Sequence, residues 1–225
     1  MRTPLIVEWY RALPQPRPPE DSDLWAARLG QALDDFRVAV AARYSESTLQ
    51  RLLNSPDPDC RRAAVVALGL LGTMRVNAAV AAHLRDGDEA VRHLASDALW
   101  AIWFRGDTPR HNEELQRLAR LDDARAQRRG LDALIRRARD FAEAYNQRAI
   151  LSYRLGEFRD AIADCETTLR LNPHHFGAAA GMAQCFLRLK KPRAALRSFR
   201  TALAINPNLD DVEAAVKALE EVLGE

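Results

Sequence analysis

The chain has 225 residues, 48% hydrophobic, 28% charged and only 7% aromatic, with a formal net charge of +2. These values exclude a disordered polymer, and the near-neutral balance gives no global electrostatic case for nucleic acid or an anionic membrane. Three cysteines without a Cys-x-x-Cys pair do not make a disulfide framework. Neither a signal-peptide core nor ~18 uninterrupted apolar residues can be found, so the expected location is cytoplasmic and the expected membrane role is none.

Residues 1–20 join a short apolar patch (Leu5, Ile6, Val7, Trp9, Tyr10) to a proline run at Pro14, Pro16, Pro18 and Pro19. Proline at this density excludes helix interior, so the segment is expected to be an extended arm lying against the first helices or docking on a second copy. From Leu24 to Val40 the apolar residues Leu24, Trp25, Leu29, Leu33, Phe36 and Val40 recur at three- and four-residue steps, one stripe of a long helix.

An internal offset of 31 residues follows. It pairs Leu53 with Leu84, Asp57 with Asp88, Arg61 with Arg92, Ala64 with Ala95, Ala67 with Ala98 and Leu68 with Leu99. Both aspartates stand where a helix N-cap belongs, and Pro58 occupies the first helical position of the first unit. The Ala-x-x-Ala-Leu step puts small residues on one face so that helices can approach closely. Arg61 and Arg92 sit where acidic inter-repeat turns can receive them. This pattern resembles short HEAT repeats, with units near 45–73 and 75–105. Gly130-x-x-Ala133-Leu134 echoes Ala95-x-x-Ala98-Leu99 at a spacing of 35, so residues 110–140 read as a degenerate third unit, with helices near 111–121 and 124–138.

From residue 142 the period becomes 34, with ten identical pairs between residues 142–175 and 176–209, among them Arg154/Arg188, Asn172/Asn206 and Pro173/Pro207. Tyr145, Ala149, Leu155-Gly156, Phe158, Ala161 and Pro173, then Ala183, Leu189, Ala195, Phe199, Ala202 and Pro207, fall at tetratricopeptide repeat (TPR) signature positions, and both segments resemble that family. Lys190 departs from the pattern by replacing the turn glycine, and Cys165 by replacing a bulky aromatic. Residues 210–225 read as a polar capping helix, with Asp210 as N-cap and Glu213 three residues on. The expected fold is therefore all-α: a right-handed α-solenoid of HEAT-like hairpins over 21–141, continuing into two TPR units over 142–209 through one core.

No phosphate loop, dinucleotide fingerprint, zinc-protease or nucleophile-elbow motif is present, and no cofactor or metal is implied. HEAT-type hydroxylases present His-Glu pairs on successive helices, and no such dipeptide exists here, which disfavours that reading. His174-His175 is expected in a solvent-facing turn. Trp100 and Trp103 read either as an exposed aromatic platform or as a hydrophobic stretch covered by the next unit. The run from Arg188 to Arg200 holds Arg188, Lys190, Lys191, Arg193, Arg197 and Arg200 without an acid. It reads as a solvated face, with an anion or nucleic-acid patch as the alternative.

What the TPR resemblance implies about binding follows from register. Helix A of each repeat turns Glu143, Asn146, Gln147, Ile150, Tyr153 and Arg154, then Gly177, Ala180, Gly181, Gln184, Leu187 and Arg188, toward a concave face. The lysine-then-asparagine order of the chaperone-type carboxylate clamp is missing, because Ile150 follows Asn146 by one turn. Asn146, Gln147, Ile150, Tyr153, Arg154, Gln184, Leu187 and Arg188 are the candidate partner-binding residues. The expected function is a non-enzymatic scaffold that holds a peptide or protein partner. Self-association through the arm stays open, and nucleic acid is disfavoured.

Overall fold

The computed structural model describes residues 4–14 and 22–224. Among these, all regular structure is helical, and contacts divide the chain into two compact units, Met1–Ile102 and Trp103–Glu225.

In the first unit, α1 (Leu5–Arg11) is a helix where an extended arm was expected. Pro4 stands just outside its first turn, where a missing N–H costs nothing, and the next described proline is Pro14. The prolines at 16, 18 and 19 lie outside the described residues. Ile6 and Val7 are fully buried, and Arg11 donates two hydrogen bonds to the Asp59 carboxylate, at 2.9 and 2.5 Å. The arm's apolar patch is thus used within the unit. Helix α2 (Ser22–Ala41) buries Phe36 and Val40.

Two hairpin-like repeats follow, α3 (Glu46–Leu52) with α4 (Pro58–Leu71), and α5 (Asn77–Ala82) with α6 (Glu89–Trp103). Helix α5 is short, with 3₁₀ turns at Met74–Val76 and His83–Arg85 on either side. Asp57 caps α4 by accepting from the Asp59 N–H, and Asp88 accepts from the Val91 N–H at the start of α6. The repeated small residues do what their spacing predicts. Ala64, Ala67, Leu68, Ala95, Ala98 and Leu99 are all buried, and a Cβ placed on Gly69 would lie 3.1 Å from that of Ala98. The turn before α6 is tied down by charge. Arg61 grips both Asp86 oxygens, at 2.8 and 2.7 Å, Arg62 grips both of Asp88, at 2.9 and 2.5 Å, and Arg92 donates to the Asp86 carbonyl.

The second unit begins at the last residue of α6 and takes in α7 (Pro109–Ala119) and α8 (Ala124–Arg137), capped by Thr108 and Asp123. Gly130 permits their contact, since a Cβ there would meet the Leu118 side chain at 2.1 Å. Four paired helices follow, α9 (Ala142–Arg154), α10 (Phe158–Leu171), α11 (Phe176–Arg188) and α12 (Pro192–Ile205), and α13 (Asp210–Leu223) packs on α12. One buried cluster (Leu115, Leu118, Leu131, Leu134, Phe141, Leu151) joins α7, α8 and α9. Helices α7 and α8 therefore share their core with α9, where the 34-residue period begins.

The 34-residue period recurs as geometry. Asn172 and Asn206 each accept, through the side chain, the N–H two residues on, at 3.2 and 3.0 Å, so an identical Asx turn ends both α10 and α12. Gly156 and Lys190, one period apart, both take left-handed backbone, with φ of 80° and 57°. The cap of α13 differs from expectation. Asp210 is the first helical residue and Leu209 precedes it without a side-chain cap, so Asp210, Asp211 and Glu213 support the helix through its dipole instead.

Candidate partner-binding face

The helix-A register puts acids, amides and aromatics on α9 and α11, and the structure divides them into a buried network and an exposed patch. The buried network centres on Glu143, whose side chain is fully enclosed. One carboxylate oxygen accepts from Asn146 Nδ2 at 3.0 Å and Gln147 Nε2 at 2.7 Å, and the other faces His175 Nε2 at 2.8 Å. The second ring nitrogen of His175 accepts the Ala178 N–H at 3.0 Å, which caps α11. Nε2 must then carry the proton and donate it to Glu143. With both nitrogens engaged, the pair is built for holding α9 against the start of α11 and has no free nitrogen for proton transfer. His175 also stacks on Trp103, with centroids 4.1 Å apart and planes at 22°.

These contacts correct two expectations and decide between the two readings of Trp103. His175 is buried rather than in a solvent-facing turn, because it reaches the one acid on α9 that is cut off from water. Trp103 is 1% exposed and packs on His175 and Phe176, so it cannot serve as an exposed platform. Asn146 is 3% exposed and, like Gln147, turns its amide inward to Glu143, since a buried carboxylate left unpaired would cost several kcal/mol. Sequence reasoning missed the Glu143–His175 pair because neither residue recurs after 34 positions, where Gly177 and Leu209 stand. That break in the repeat was the only available signal.

A second tie on these helices uses Arg148. It donates to both oxygens of Asp164 on α10, at 2.8 and 2.7 Å, and to Asp132 on α8, at 2.8 Å. The Asp164 hydrogen bonds raise its guanidinium pKa, outweighing the opposing effect of burial. Beneath α9 and α11, burial pushes the Cys165 thiol up to about 12, far from any nucleophilic range.

The exposed patch lies toward the C-terminal ends of α9 and α11. The Arg188 guanidinium lies 4.8 Å from the Phe158 ring centroid and 5.7 Å from that of Tyr153, and these two rings meet edge to face at 5.6 Å. The cation sits over aromatic carbon while remaining in solvent. Ile150 is 45% exposed, and Arg154 and Gln184 are exposed. Leu187 is half-buried and packs with Ala183, Leu196, Phe199 and Val216, so most of its apolar surface belongs to the α11–α12 core. Of the eight residues named by register, Ile150, Arg154, Gln184 and Arg188 are exposed, and Tyr153, half-buried against the core of α9, α10 and α11, joins them through its contact with Arg188. In the basic run, Lys190, Lys191 and Arg197 are exposed, while Arg200 donates to Glu220 of α13 at 2.8 Å. Among the described residues, no group of histidine, cysteine and acid has the grouping of a metal site, and no helix is long and apolar enough to cross a membrane.

Comparison with known proteins matches residues 45–135 to HEAT repeats and residues 153–223 to the tetratricopeptide repeat. A TPR repeat-containing protein of Rhizobium etli is 33% identical over 93 residues, which cover 41% of this chain and 46% of that protein. The chain thus spans less than half the length of that curated relative. Among solved structures, the TPR2AB-domain:pHSP90 complex of yeast Sti1 aligns with 89% of this chain and 83% of that one, at 17% identity and a TM-score of 0.45.

Proposed function

Because the chain carries HEAT repeats followed by tetratricopeptide repeats, we propose that it is a non-enzymatic interaction module that holds a segment of another protein on the α9–α11 face. The observation that carries this reading is Arg188, laid over Phe158 and Tyr153 beside the exposed Ile150. A cation fixed by two rings has already lost most of its rotamer freedom, so a partner carboxylate meets it at little entropic cost. Ile150 and the Tyr153 ring give an apolar contact next to that charge. The partner best suited is an extended or helical peptide with an acidic side chain adjacent to an apolar one.

The test is affinity capture from the native cell with the wild-type chain and with Tyr153→Ala/Arg188→Ala. The double variant should lose at least one partner about tenfold while keeping its helical circular dichroism. An unchanged set of captured proteins would refute the reading.

The competing nucleic-acid reading rests on the exposed cations Lys190, Lys191 and Arg197, and the Arg200–Glu220 pair weakens it by neutralising one member of the run in cis. It requires salt-sensitive oligonucleotide binding that Tyr153→Ala leaves unchanged and Lys190→Ala/Lys191→Ala/Arg197→Ala weakens.

A further inference from the structure

The first unit contains an open cavity of about 400 Å³ bordered by α1, α2, α4 and α6, within the size range of small-molecule sites. Its origin is the small-residue contact that lets α4 and α6 approach. Gly69 and Ala98 both line the space, and neither has a side chain long enough to fill it. Leu29 and Leu33 of α2 border it without closing it. The lining is almost wholly apolar, with one charged exception. Asp97 of α6 stands at the mouth, exposed, with no hydrogen-bond partner among the described residues. Partial burial raises its carboxyl pKa, opposed by the neighbouring His93. Trp25 also lines the cavity, and its indole N–H is buried and donates to no described residue.

An apolar cavity with a single unpaired anion at its entrance selects for one ligand chemistry. A neutral apolar molecule would leave the carboxylate unused, and an anionic amphiphile would be repelled by it. We propose that this cavity binds a small amphiphilic cation, its apolar body against Leu29, Leu33 and Trp25 and its ammonium against Asp97. The site lies entirely in the first unit and does not depend on the partner-binding reading of α9 and α11.

Octylamine, octanol and octanoate share a chain and differ in head group, so they separate the two contributions. Each is titrated into the full-length protein at physiological salt, with the tryptophan indoles labelled with ¹⁵N and the Trp25 resonance assigned by its loss in Trp25→Phe. Octylamine should shift that resonance saturably and bind about tenfold more tightly than octanol, with octanoate weakest. Asp97→Asn should bring octylamine down to the octanol affinity and leave octanol unchanged, Asp97→Glu should keep the preference, and Ala101→Leu should weaken all three. Equal affinities for octylamine and octanol, a preference that survives Asp97→Asn, or a Trp25 resonance that never saturates would each overturn the proposal.

Discussion

Lys190 stands one period after Gly156 and adopts the same left-handed backbone, with φ of 57°. A side chain there crowds the following carbonyl, at a cost of about 1 kcal/mol, so Lys190→Gly should stabilise the protein by about that amount and Gly156→Ala should destabilise it similarly. Urea unfolding midpoints measured by circular dichroism check both. The opposite sign is expected at His175, whose ring caps α11, satisfies Glu143 and stacks on Trp103. His175→Ala leaves a buried carboxylate short of a donor and should cost about 3 kcal/mol or more, read from the same curves. The stability lost there should exceed that from replacing the neighbouring His174, which is only half-buried.

Between elements, the ties are arginine–carboxylate pairs, and they carry a pH dependence. The Arg62 hydrogen bonds bring the Asp88 carboxyl down to about 2, from an ordinary 3.8. Asp86 is also lowered: burial pushes it up, but its hydrogen bond from Arg61 and the Asp88 N–H outweigh that. A depressed carboxylate adds stability above its unfolded pKa and loses it as pH falls toward the folded one. The α4–α6 region should therefore weaken between about pH 4 and pH 2, with Asp88→Asn flattening that part of the acid-unfolding profile. At α8, α9 and α10, Arg148 is the common partner of Asp132 and Asp164. Arg148→Lys should not restore the stability lost in Arg148→Ala, because an ammonium cannot match the planar fork that engages Asp164 at two points. Thermal denaturation of the two variants gives the comparison.

At the scale of the molecule, Cys60, Cys165 and Cys185 are free and buried, one in the first unit and two in the second. None should react with a thiol reagent in the native protein, and three per chain should react in denaturant, so labelling reports the integrity of both units. How much of this was legible in the sequence depends on the range of the interaction. Helix positions, caps at Asp57 and Asp88, small-residue contacts and both repeat periods are properties of local periodicity, and a linear string records period directly. The α1 helix is hidden by the prolines that follow it, because its own turns, from Leu5 to Arg11, contain none. The Glu143–His175–Trp103 assembly joins residues far apart in the chain at positions that do not repeat, so no spacing announces it. The same holds for the exposed patch: register nominated eight residues, but burial of Asn146, the inward amide of Gln147 and the core packing of Leu187 reduced them to five. An amphipathic period is a one-dimensional quantity, so the order of residues alone specifies the paired helices seen among the described residues. Which polar side chains satisfy one another in the interior, and which stay at the surface, is settled in three dimensions, because desolvation depends on what the rest of the chain brings alongside.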